Sequence, residues 1–415
     1  MNLNPSLGLG VILYMKYLII LGDGMADEPI TSLNNKTCLQ AANKPTIDKI
    51  VALGRCGMLD TIPEGFAPGS EIANLSVMGY DVPKVFEGRG SLEAASKGVN
   101  IEAGEMAMRC NLICIENGKI KNHSAGHISN EEAEELILFL QKELGNDQIH
   151  FFPGVSYRHL LKIKDGNKKI SCTPPHDVPG TPFADVMIKN ENEEAKLTAD
   201  LLNELILKSQ HLLENHSINL KRAAAGKDKA NSIWPWSPGY KPDMKTLLEL
   251  YNLKSGSVIS AVDLIRGIGV YAGLKVILVP GATGLYNTNY EGKAQAAIEA
   301  LKEDDFVYLH IEASDEAGHE GDVELKIKTI EYLDSRIVKP VFDEVSKWNE
   351  PVTIAILPDH PTPCAIRTHT KKPVPFIIYR PGETPDSVQS YDEDACEKGS
   401  YGLLKGMEFM QNLIK

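Results

Sequence analysis

The sequence lacks an apolar segment long enough to cross a membrane. Its apolar stretch nearest the N-terminus covers residues 11–21 and is interrupted by Lys16. A membrane-spanning helix needs about 20 consecutive apolar residues, and no small-residue cleavage site of a secretory signal follows this stretch. We therefore expect no membrane partner and interpret residues 17–21 as a buried first strand. Residues 1–14 have no assigned role, and Met15 is an alternative start.

Cysteines are few, and they do not form the pattern of a disulfide framework or a zinc site. There are seven, an odd number, without a CxxC pair. Cys110 and Cys114 are four residues apart, but no second pair follows them. This pattern is typical of reduced thiols in a cytoplasmic protein.

Basic residues are also fewer than acidic ones. Lysine and arginine total 43 against 56 aspartates and glutamates, a formal net charge of −13. This balance argues against an extended basic surface for nucleic acid or anionic lipid. It still allows a local cluster of arginines that binds a small anion. The GxxxxGK loop of many nucleotide-binding proteins is absent.

The pattern of apolar residues predicts an α/β fold. Residues 275–279, 306–311 and 352–357 are unbroken apolar runs that each end in a polar loop, and helical patterns such as 324–337 lie between them. Continuous apolar strands alternating with helices imply a mainly parallel sheet with helices on both faces.

The middle of the chain has a different pattern of apolar and polar residues. Alternating stretches at 106–115 and 119–123 suggest antiparallel strands, and residues 131–144 form an amphipathic helical pattern. The chain also exceeds the roughly 250–300 residues at which single cores stop growing. We predict one domain formed by residues 1–80 and 256–415, with an α+β domain, residues 81–255, inserted into it.

Metal-ligand residues follow several of the predicted strands. Asp23 follows the first strand, Asp315 and His319 follow 306–311, and Asp359 with His360 follow 352–357, with His369 nine residues beyond. Functional groups of parallel α/β sheets gather at these strand ends. Aspartate with imidazole suits Mn²⁺ or Zn²⁺ better than Mg²⁺. The set is large enough for two ions, which together can promote an in-line phosphoryl displacement.

Ser70 is the candidate nucleophile. It lies in Pro68-Gly69-Ser70-Glu71, immediately before a helical pattern, where the positive end of the helix dipole favours an incoming phosphate. A serine needs a base or a metal to lower its pKa. Local sequence alone favours an ordinary helix N-cap, and only the metal ligands elsewhere in the chain support the nucleophile.

Several blocks of the sequence resemble the cofactor-independent phosphoglycerate mutases, in the shorter archaeal-type branch within the alkaline phosphatase superfamily. The resemblance extends from about residue 16 to residue 381. It is carried by Gly22-Asp23-Gly24, Gly69-Ser70-Glu71-Ile72-Ala73-Asn74-Leu75-Ser76, Asp315-Glu316-Ala317-Gly318-His319, Leu357-Pro358-Asp359-His360 and Thr368-His369-Thr370. Middle blocks such as Ser156-Tyr157-Arg158-His159-Leu160 also match.

The resemblance implies an alkaline-phosphatase-like sheet, an inserted lid domain and two divalent metal ions. Mn²⁺ is expected first, with Mg²⁺, Zn²⁺ or Co²⁺ as alternatives. Ser70 would form a phosphoserine while 3-phosphoglycerate and 2-phosphoglycerate interconvert in glycolysis and gluconeogenesis. The implied ligands of one ion are Asp23, Ser70, Asp359 and His360, and those of the other are Asp315, His319 and His369.

Cationic groups should bind the small phosphorylated substrate. Arg158 and Arg222 are the leading candidates, followed by Arg89, Arg109 and Lys229, because arginine suits bidentate binding of oxyanions. His123 is a candidate acid or base at the glycerate hydroxyls.

The final phosphoryl acceptor has alternatives. Archaeal-type mutases commonly carry arginines where this chain has His123 and His127, and such a segment resembles a bacterial subgroup proposed to act as homoserine kinases. A homoserine kinase of threonine biosynthesis, or a phosphatase of the same superfamily, would use the same metals and Ser70. A non-catalytic metal-binding protein is disfavoured by the complete ligand set with its candidate nucleophile.

Overall fold

The computed structural model describes residues 15–415. Residues 1–14, which include the start of the apolar stretch and of the first predicted domain, lie outside the described residues. Unit 1 comprises the chain up to Pro83, Lys245–Ile265 and Ala272–Lys415, and unit 2 comprises Lys84–Met244 and Arg266–Tyr271. The domain boundaries predicted from the sequence, at 80 and 255, stay a proposal.

The strands of the described chain are numbered in order. They are β1 (Lys16–Gly22), β2 (Arg55–Asp60), β3 (Glu105–Glu116), β4 (Lys119–Asn122), β5 (Ile149–Val155), β6 (Arg158–Lys164), β7 (Ile170–Ser171), β8 (Lys189–Asn190), β9 (Ser232–Tyr240), β10 (Gly256–Ile259), β11 (Lys275–Ile277), β12 (Phe306–Ile311), β13 (Val352–Leu357), β14 (Val374–Tyr379) and β15 (Gly402–Lys405).

The α-helices follow the same numbering. They are α1 (Cys38–Ala41), α2 (Pro45–Leu53), α3 (Ser70–Val77), α4 (Val82–Val85), α5 (Arg89–Ser96), α6 (Asn130–Leu144), α7 (Lys196–Leu213), α8 (Ser217–Ala224), α9 (Leu247–Tyr251), α10 (Asp263–Tyr271), α11 (Tyr290–Glu303), α12 (Ala313–Glu320), α13 (Val323–Tyr332), α14 (Lys339–Val345), α15 (Glu393–Cys396) and α16 (Glu408–Leu413). A π-helical turn, Leu333–Val338, joins α13 to α14.

Unit 1 is built on a sheet with the strand order β11-β10-β12-β1-β13-β14-β2-β15. All of its pairings are parallel except those of β14 with β13 and with β2. Strands β1, β12 and β13 are buried along their whole length, as expected for central strands covered on both faces. The predicted α/β fold with a mainly parallel sheet is therefore confirmed.

One predicted strand of this sheet is wrong in extent. The apolar run 275–279 forms only the short edge strand β11, and Leu278 just beyond it is 66% exposed. An edge strand has one pairing partner, so apolar character there does not require burial on both faces.

Unit 2 contains an antiparallel sheet with the order β4-β3-β6-β5, in which β9 also pairs with β3. Helices α6 and α7 pack on it around a shared apolar core that includes Leu136, Leu202 and Trp234. The predicted antiparallel strands at 106–115 and 119–123 and the predicted helix at 131–144 correspond to β3, β4 and α6.

No helix among residues 15–415 is long and apolar enough to span a membrane.

Candidate metal centre

Three adjacent parallel strands bring the predicted ligands to one edge of the unit 1 sheet. Asp23 directly follows β1, Asp315 and His319 lie in α12 after β12, and Asp359 and His360 follow β13. Strand β1 pairs with both β12 and β13. The three loops therefore meet at the carboxyl ends of these strands, as predicted from the sequence.

The first group of ligand atoms surrounds His360. Its Nε2 lies 3.4 Å from Asp359 Oδ2, 3.7 Å from Asp23 Oδ1 and 3.2 Å from Ser70 Oγ. Asp23, Asp359 and His360 are all buried, and ligand atoms of these three lie within 4.8 Å of one another. Asp23 Oδ1 is buried without a hydrogen-bond partner among the described residues. An orphaned carboxylate oxygen in such a position fits a bound cation.

The second group surrounds Asp315. Its Oδ2 lies 3.2 Å from His319 Nε2, and its Oδ1 lies 3.4 Å from His369 Nε2. The two imidazole nitrogens are themselves 2.9 Å apart. One carboxylate and two ring nitrogens thus converge on a common point. Asp315, His360 and His369 also form a compact set, so His360 lies within reach of both groups.

Gly24 allows these loops to approach closely. Its φ of +62° is in the left-handed region, and a Cβ at this position would lie 2.6 Å from Asp315 Oδ1 and 2.6 Å from Thr362 Oγ1. Its backbone N–H donates to Asp359 Oδ1 at 3.2 Å. A larger residue here would separate the ligand-bearing loops.

The charges of the centre favour cation binding. Burial, reinforced by the nearby carboxylates of Asp359 and Asp315, raises the pKa of Asp23 well above its usual range. Burial acts in the same direction on Asp315, but hydrogen bonds with His319 and His369 outweigh it and hold the pKa of Asp315 well below its usual range. A divalent cation would relieve the repulsion among these carboxylates. Carboxylate oxygens with imidazole nitrogens are ligands that suit Mn²⁺ and Zn²⁺.

Ser70 is not the N-cap of its helix. Gly69 is the capping residue and Ser70 is the first residue of α3, so the Ser70 hydroxyl is not used in capping and lies instead beside His360. Of the two interpretations of this serine, the capping one is therefore wrong.

Unit 2 brings several of the other predicted residues together. Arg89 and Arg109 both pair with Glu93, at 3.0 Å and 3.2 Å, and Arg109 stacks 4.2 Å from the centroid of the Trp236 ring. Burial lowers the pKa of Arg109 to about 10, and the positive charges of Arg89 and Arg158 act in the same direction.

Aromatic rings continue this cluster. The ring of His123 contacts the rings of Tyr157 and His176, with centroids 5.5 Å and 6.0 Å away. The guanidinium of Arg158 lies 5.7 Å from the centroid of the Tyr157 ring. Burial and the neighbouring imidazole of His176 lower the pKa of His123. Arg89, Arg158 and His123 therefore belong to one basic and aromatic cluster of unit 2.

Arg222 and Lys229 are placed differently. Arg222 is 3% exposed and donates to Asp228 O, to Ala125 O and to the carboxylate of Glu132, so its guanidinium is engaged within unit 2. Lys229 pairs with Glu214. Both residues serve internal contacts here, and neither joins the cluster around Arg109.

Comparison with known proteins gives the family. Residues 52–219 match the sequence model of the family described as 2,3-bisphosphoglycerate-independent phosphoglycerate mutase. A protein of that name from Methanosarcina acetivorans is 52% identical over 403 residues, covering 97% of this chain and all of the relative. The chain belongs to the 2,3-bisphosphoglycerate-independent phosphoglycerate mutases. The family predicted from the sequence blocks is thus confirmed.

Solved structures share the fold of this mutase. A protein of Pyrococcus horikoshii matches with a TM-score of 0.82 and 32% identity over 97% of both chains. The cofactor-independent phosphoglycerate mutase from Thermoplasma acidophilum matches with a TM-score of 0.68 and 25% identity, covering 96% of this chain and 98% of that one.

The residues that support the proposed ligands of this mutase were not among those predicted from the sequence. Asn74 donates from Nδ2 to Asp359 Oδ2 at 2.9 Å and accepts from the Tyr308 hydroxyl at 2.6 Å. The Thr362 hydroxyl donates to Asp315 Oδ1, and His310 Nε2 lies 2.9 Å from Asp23 Oδ2. The one available signal was the pair of polar residues, Tyr308 and His310, two apart within an apolar strand.

A buried lysine joins two of the ligand-bearing loops. Lys326 Nζ donates to Asp27 Oδ2 at 2.8 Å, to Ala26 O at 3.0 Å and to Thr362 O at 2.8 Å. Lys326 and Asp27 side chains are both 0% exposed. The loop after Asp23 and the loop after His360 are therefore tied together by one internal cation.

Proposed function

We propose that the protein interconverts 3-phosphoglycerate and 2-phosphoglycerate through a phosphoserine on Ser70, with two divalent metal ions. The observation that carries this proposal is the position of Ser70 Oγ, 3.2 Å from His360 Nε2 in a mutase-family chain. The seven predicted ligands remain our assignment. Mn²⁺ is the ion we propose, and the seven free cysteines support a cytoplasmic location.

The chemistry divides between Ser70 and its surroundings. Ser70 Oγ would form the bond to phosphorus as the ester bond to glycerate breaks, leaving phosphoserine and a retained glycerate. Attack by the other glycerate hydroxyl would then restore free Ser70. Bound divalent ions would lower the pKa of the serine hydroxyl and offset charge on the phosphoryl oxygens. The positive end of the α3 dipole adds to this stabilisation.

Substrate binding and proton transfer are assigned to three of the residues predicted from the sequence. We propose that Arg158 and Arg89 bind the anionic groups of the substrate and that His123 moves protons at the hydroxyls. The lowered pKa of His123 keeps its imidazole neutral at pH 7 and able to accept a proton. Arg222 is the weakest of the candidates predicted from the sequence because its guanidinium already has three internal partners.

The homoserine kinase and phosphatase alternatives are not favoured. Relatives at 45–52% identity over nearly the whole chain carry the mutase name. No feature of the centre argues for water or homoserine as the final acceptor.

Product analysis tests the proposal. The chain is stripped with EDTA, reloaded with Mn²⁺ and given 3-phosphoglycerate without bisphosphoglycerate, and the products are followed by ³¹P NMR. We expect 2-phosphoglycerate without release of inorganic phosphate. A parallel reaction with homoserine and ATP should give no phosphohomoserine. Absence of isomerisation, or phosphate release that outpaces it, would contradict the proposal.

A matched pair of serine variants tests the nucleophile. Ser70→Ala should abolish isomerisation, whereas Ser76→Ala on the same helix should keep it, because Ser76 Oγ makes no hydrogen bond among the described residues. Turnover retained by the Ser70 variant would exclude Ser70 as the phosphoryl carrier.

A further inference from the structure

Strand β12 carries a histidine that the proposed mechanism does not use. The strand reads Phe-Val-Tyr-Leu-His-Ile, and His310 is its only imidazole, 0% exposed. A buried histidine needs partners for both ring nitrogens, because an unpaired polar group in the interior is costly. The identity of those partners shows what His310 does.

Both ring nitrogens of His310 have polar neighbours in unit 1. Nε2 lies 2.9 Å from Asp23 Oδ2, and Nδ1 lies 3.2 Å from the hydroxyl of Ser260. The same hydroxyl accepts the backbone N–H of Val262 at 3.0 Å. The backbone is anchored too, since Lys293 Nζ donates to His310 O at 3.1 Å. These contacts leave neither nitrogen available to bind a metal ion.

Hydrogen-bond chemistry determines where the proton on the ring lies. A cation bound at Oδ1 would keep the Asp23 carboxylate ionised despite its raised pKa. An ionised carboxylate only accepts hydrogen bonds, so His310 would then carry its proton on Nε2 and donate it to Oδ2. The neutral ring then accepts at Nδ1, and the Ser260 hydroxyl donates to it while accepting from Val262. Each donor in the series from Val262 through Ser260 and His310 to Asp23 meets one acceptor.

The arrangement leaves one oxygen of Asp23 for another purpose. With Oδ2 held by His310, Oδ1 points toward His360 Nε2 at 3.7 Å and has no hydrogen-bond partner among residues 15–415. A hydrogen bond to one carboxylate oxygen fixes the rotation of the group, so that the other oxygen has a defined direction. Mutation of a residue that orients a metal ligand in this way typically lowers metal affinity by about 10- to 100-fold.

We propose that His310 is a positioning residue that holds Asp23 so that Oδ1 faces a divalent ion, and that Ser260 fixes the tautomer required. This inference rests on the proposed function only in taking Asp23 as a metal ligand. His310 does not contact substrate or the reacting atoms. Its effect is on the affinity and geometry of one of the two metal sites.

Two substitutions at His310 separate positioning from simple packing. His310→Phe fills a similar volume without a donor, whereas His310→Gln keeps an N–H near the position of Nε2. Mn²⁺ binding to the full-length, EDTA-stripped chain is measured by the electron paramagnetic resonance signal of free Mn²⁺. We expect His310→Phe to weaken one site by about 10- to 100-fold and His310→Gln to recover most of that loss. The other site should change less than twofold.

Cobalt provides a spectroscopic signature of the same site. Substituting Co²⁺ gives visible absorption that depends on ligand geometry, so His310→Phe should alter the bands of one site and His310→Gln should restore them. Wild-type affinity and an unchanged cobalt spectrum in His310→Phe would overturn the proposal. Equal losses in the Phe and Gln variants would also overturn it, because packing rather than donation would then matter.

A second pair of variants covers a failure of His310→Phe to fold. Ser260→Ala removes the hydroxyl that sets the tautomer, whereas Ser260→Thr retains it. We expect weaker Mn²⁺ binding for Ala than for Thr, and equal binding by both would overturn the proposal. These readouts are independent of turnover. A wild-type chain that binds two Mn²⁺ ions but does not isomerise 3-phosphoglycerate would refute the proposed function and leave the role of His310 standing.

Discussion

Replacing Lys326 with methionine tests whether the internal cation stabilises unit 1. The ammonium is 2.8 Å from Asp27 Oδ2, and both side chains are 0% exposed. Methionine has a similar length and is apolar, so it fills the space but leaves the Asp27 carboxylate buried without its counter-charge. Breaking a buried ion pair by removing one partner destabilises proteins by about 3–5 kcal/mol.

The structure places the expected loss near the lower end of that range. Asp27 keeps two backbone donors after the substitution, the N–H of Glu28 at 2.8 Å and that of Cys364 at 3.2 Å. Thr362 O loses its bond to the ammonium, which adds the penalty of an unsatisfied carbonyl, about 1 kcal/mol. We therefore expect the free energy of unfolding to fall by about 3–4 kcal/mol.

Urea denaturation followed by circular dichroism measures this loss. Lys328→Met is the control, because Lys328 lies on the same helix α13 but is exposed, and its free energy should change by less than about 0.5 kcal/mol. Adding Asp27→Asn to Lys326→Met removes the unpaired charge and should recover part of the loss. A Lys326→Met chain within about 1 kcal/mol of wild type would refute the argument from the buried charge.

Three further results are expected. Arg222→Met should lower the free energy of unfolding, measured in urea, by about 3 kcal/mol, because Glu132 and two carbonyls lose their donor. The KM for 3-phosphoglycerate should stay within twofold, and a large rise in KM would mean that Arg222 contacts the substrate. Asn74→Leu should weaken Mn²⁺ binding by about 10- to 100-fold in a metal titration, because Asp359 loses its side-chain donor, and unchanged affinity would contradict this. Burial lowers the pKa of His159 to about 3, so the folded imidazole stays neutral while the unfolded one takes up a proton. The free energy of unfolding should therefore fall as the pH is lowered from about 6.5 to about 3, by up to about 1.4 kcal/mol per pH unit from this group. His159→Gln should flatten that slope in urea curves recorded at several pH values. An unchanged slope would contradict the prediction.

The strands that carry the proposed metal ligands could be predicted because their signal is local. Strands β12 and β13 have the bounds predicted from their apolar runs, since fully buried parallel strands need unbroken apolar sequence. The residues proposed as ligands could be located from the sequence as well, because polar residues at the ends of such strands gather at one edge of the sheet. The sequence blocks then supplied the family.

The residues that support the centre could not be predicted, because their partners are distant in sequence. His310 meets Asp23, and Lys326 meets Asp27, across most of unit 1. Arg222 resembled an anion-binding arginine in the sequence, yet its partners Glu132 and Ala125 are brought to it only by the fold of unit 2. The edge position of β11 likewise depends on strand order, which no local pattern encodes.

The position of β1 has a consequence for how the chain is made. This strand leaves the ribosome long before its partners, because Tyr17 pairs with Phe306 and with Thr353, which are synthesised much later. At about 5–20 residues per second, the nascent strand waits on the order of 15–60 s for its neighbours. During that time its apolar residues, which are buried on both faces in the finished sheet, are exposed and can associate with other nascent chains. Production of this protein should therefore depend strongly on chaperones that bind exposed apolar segments during translation.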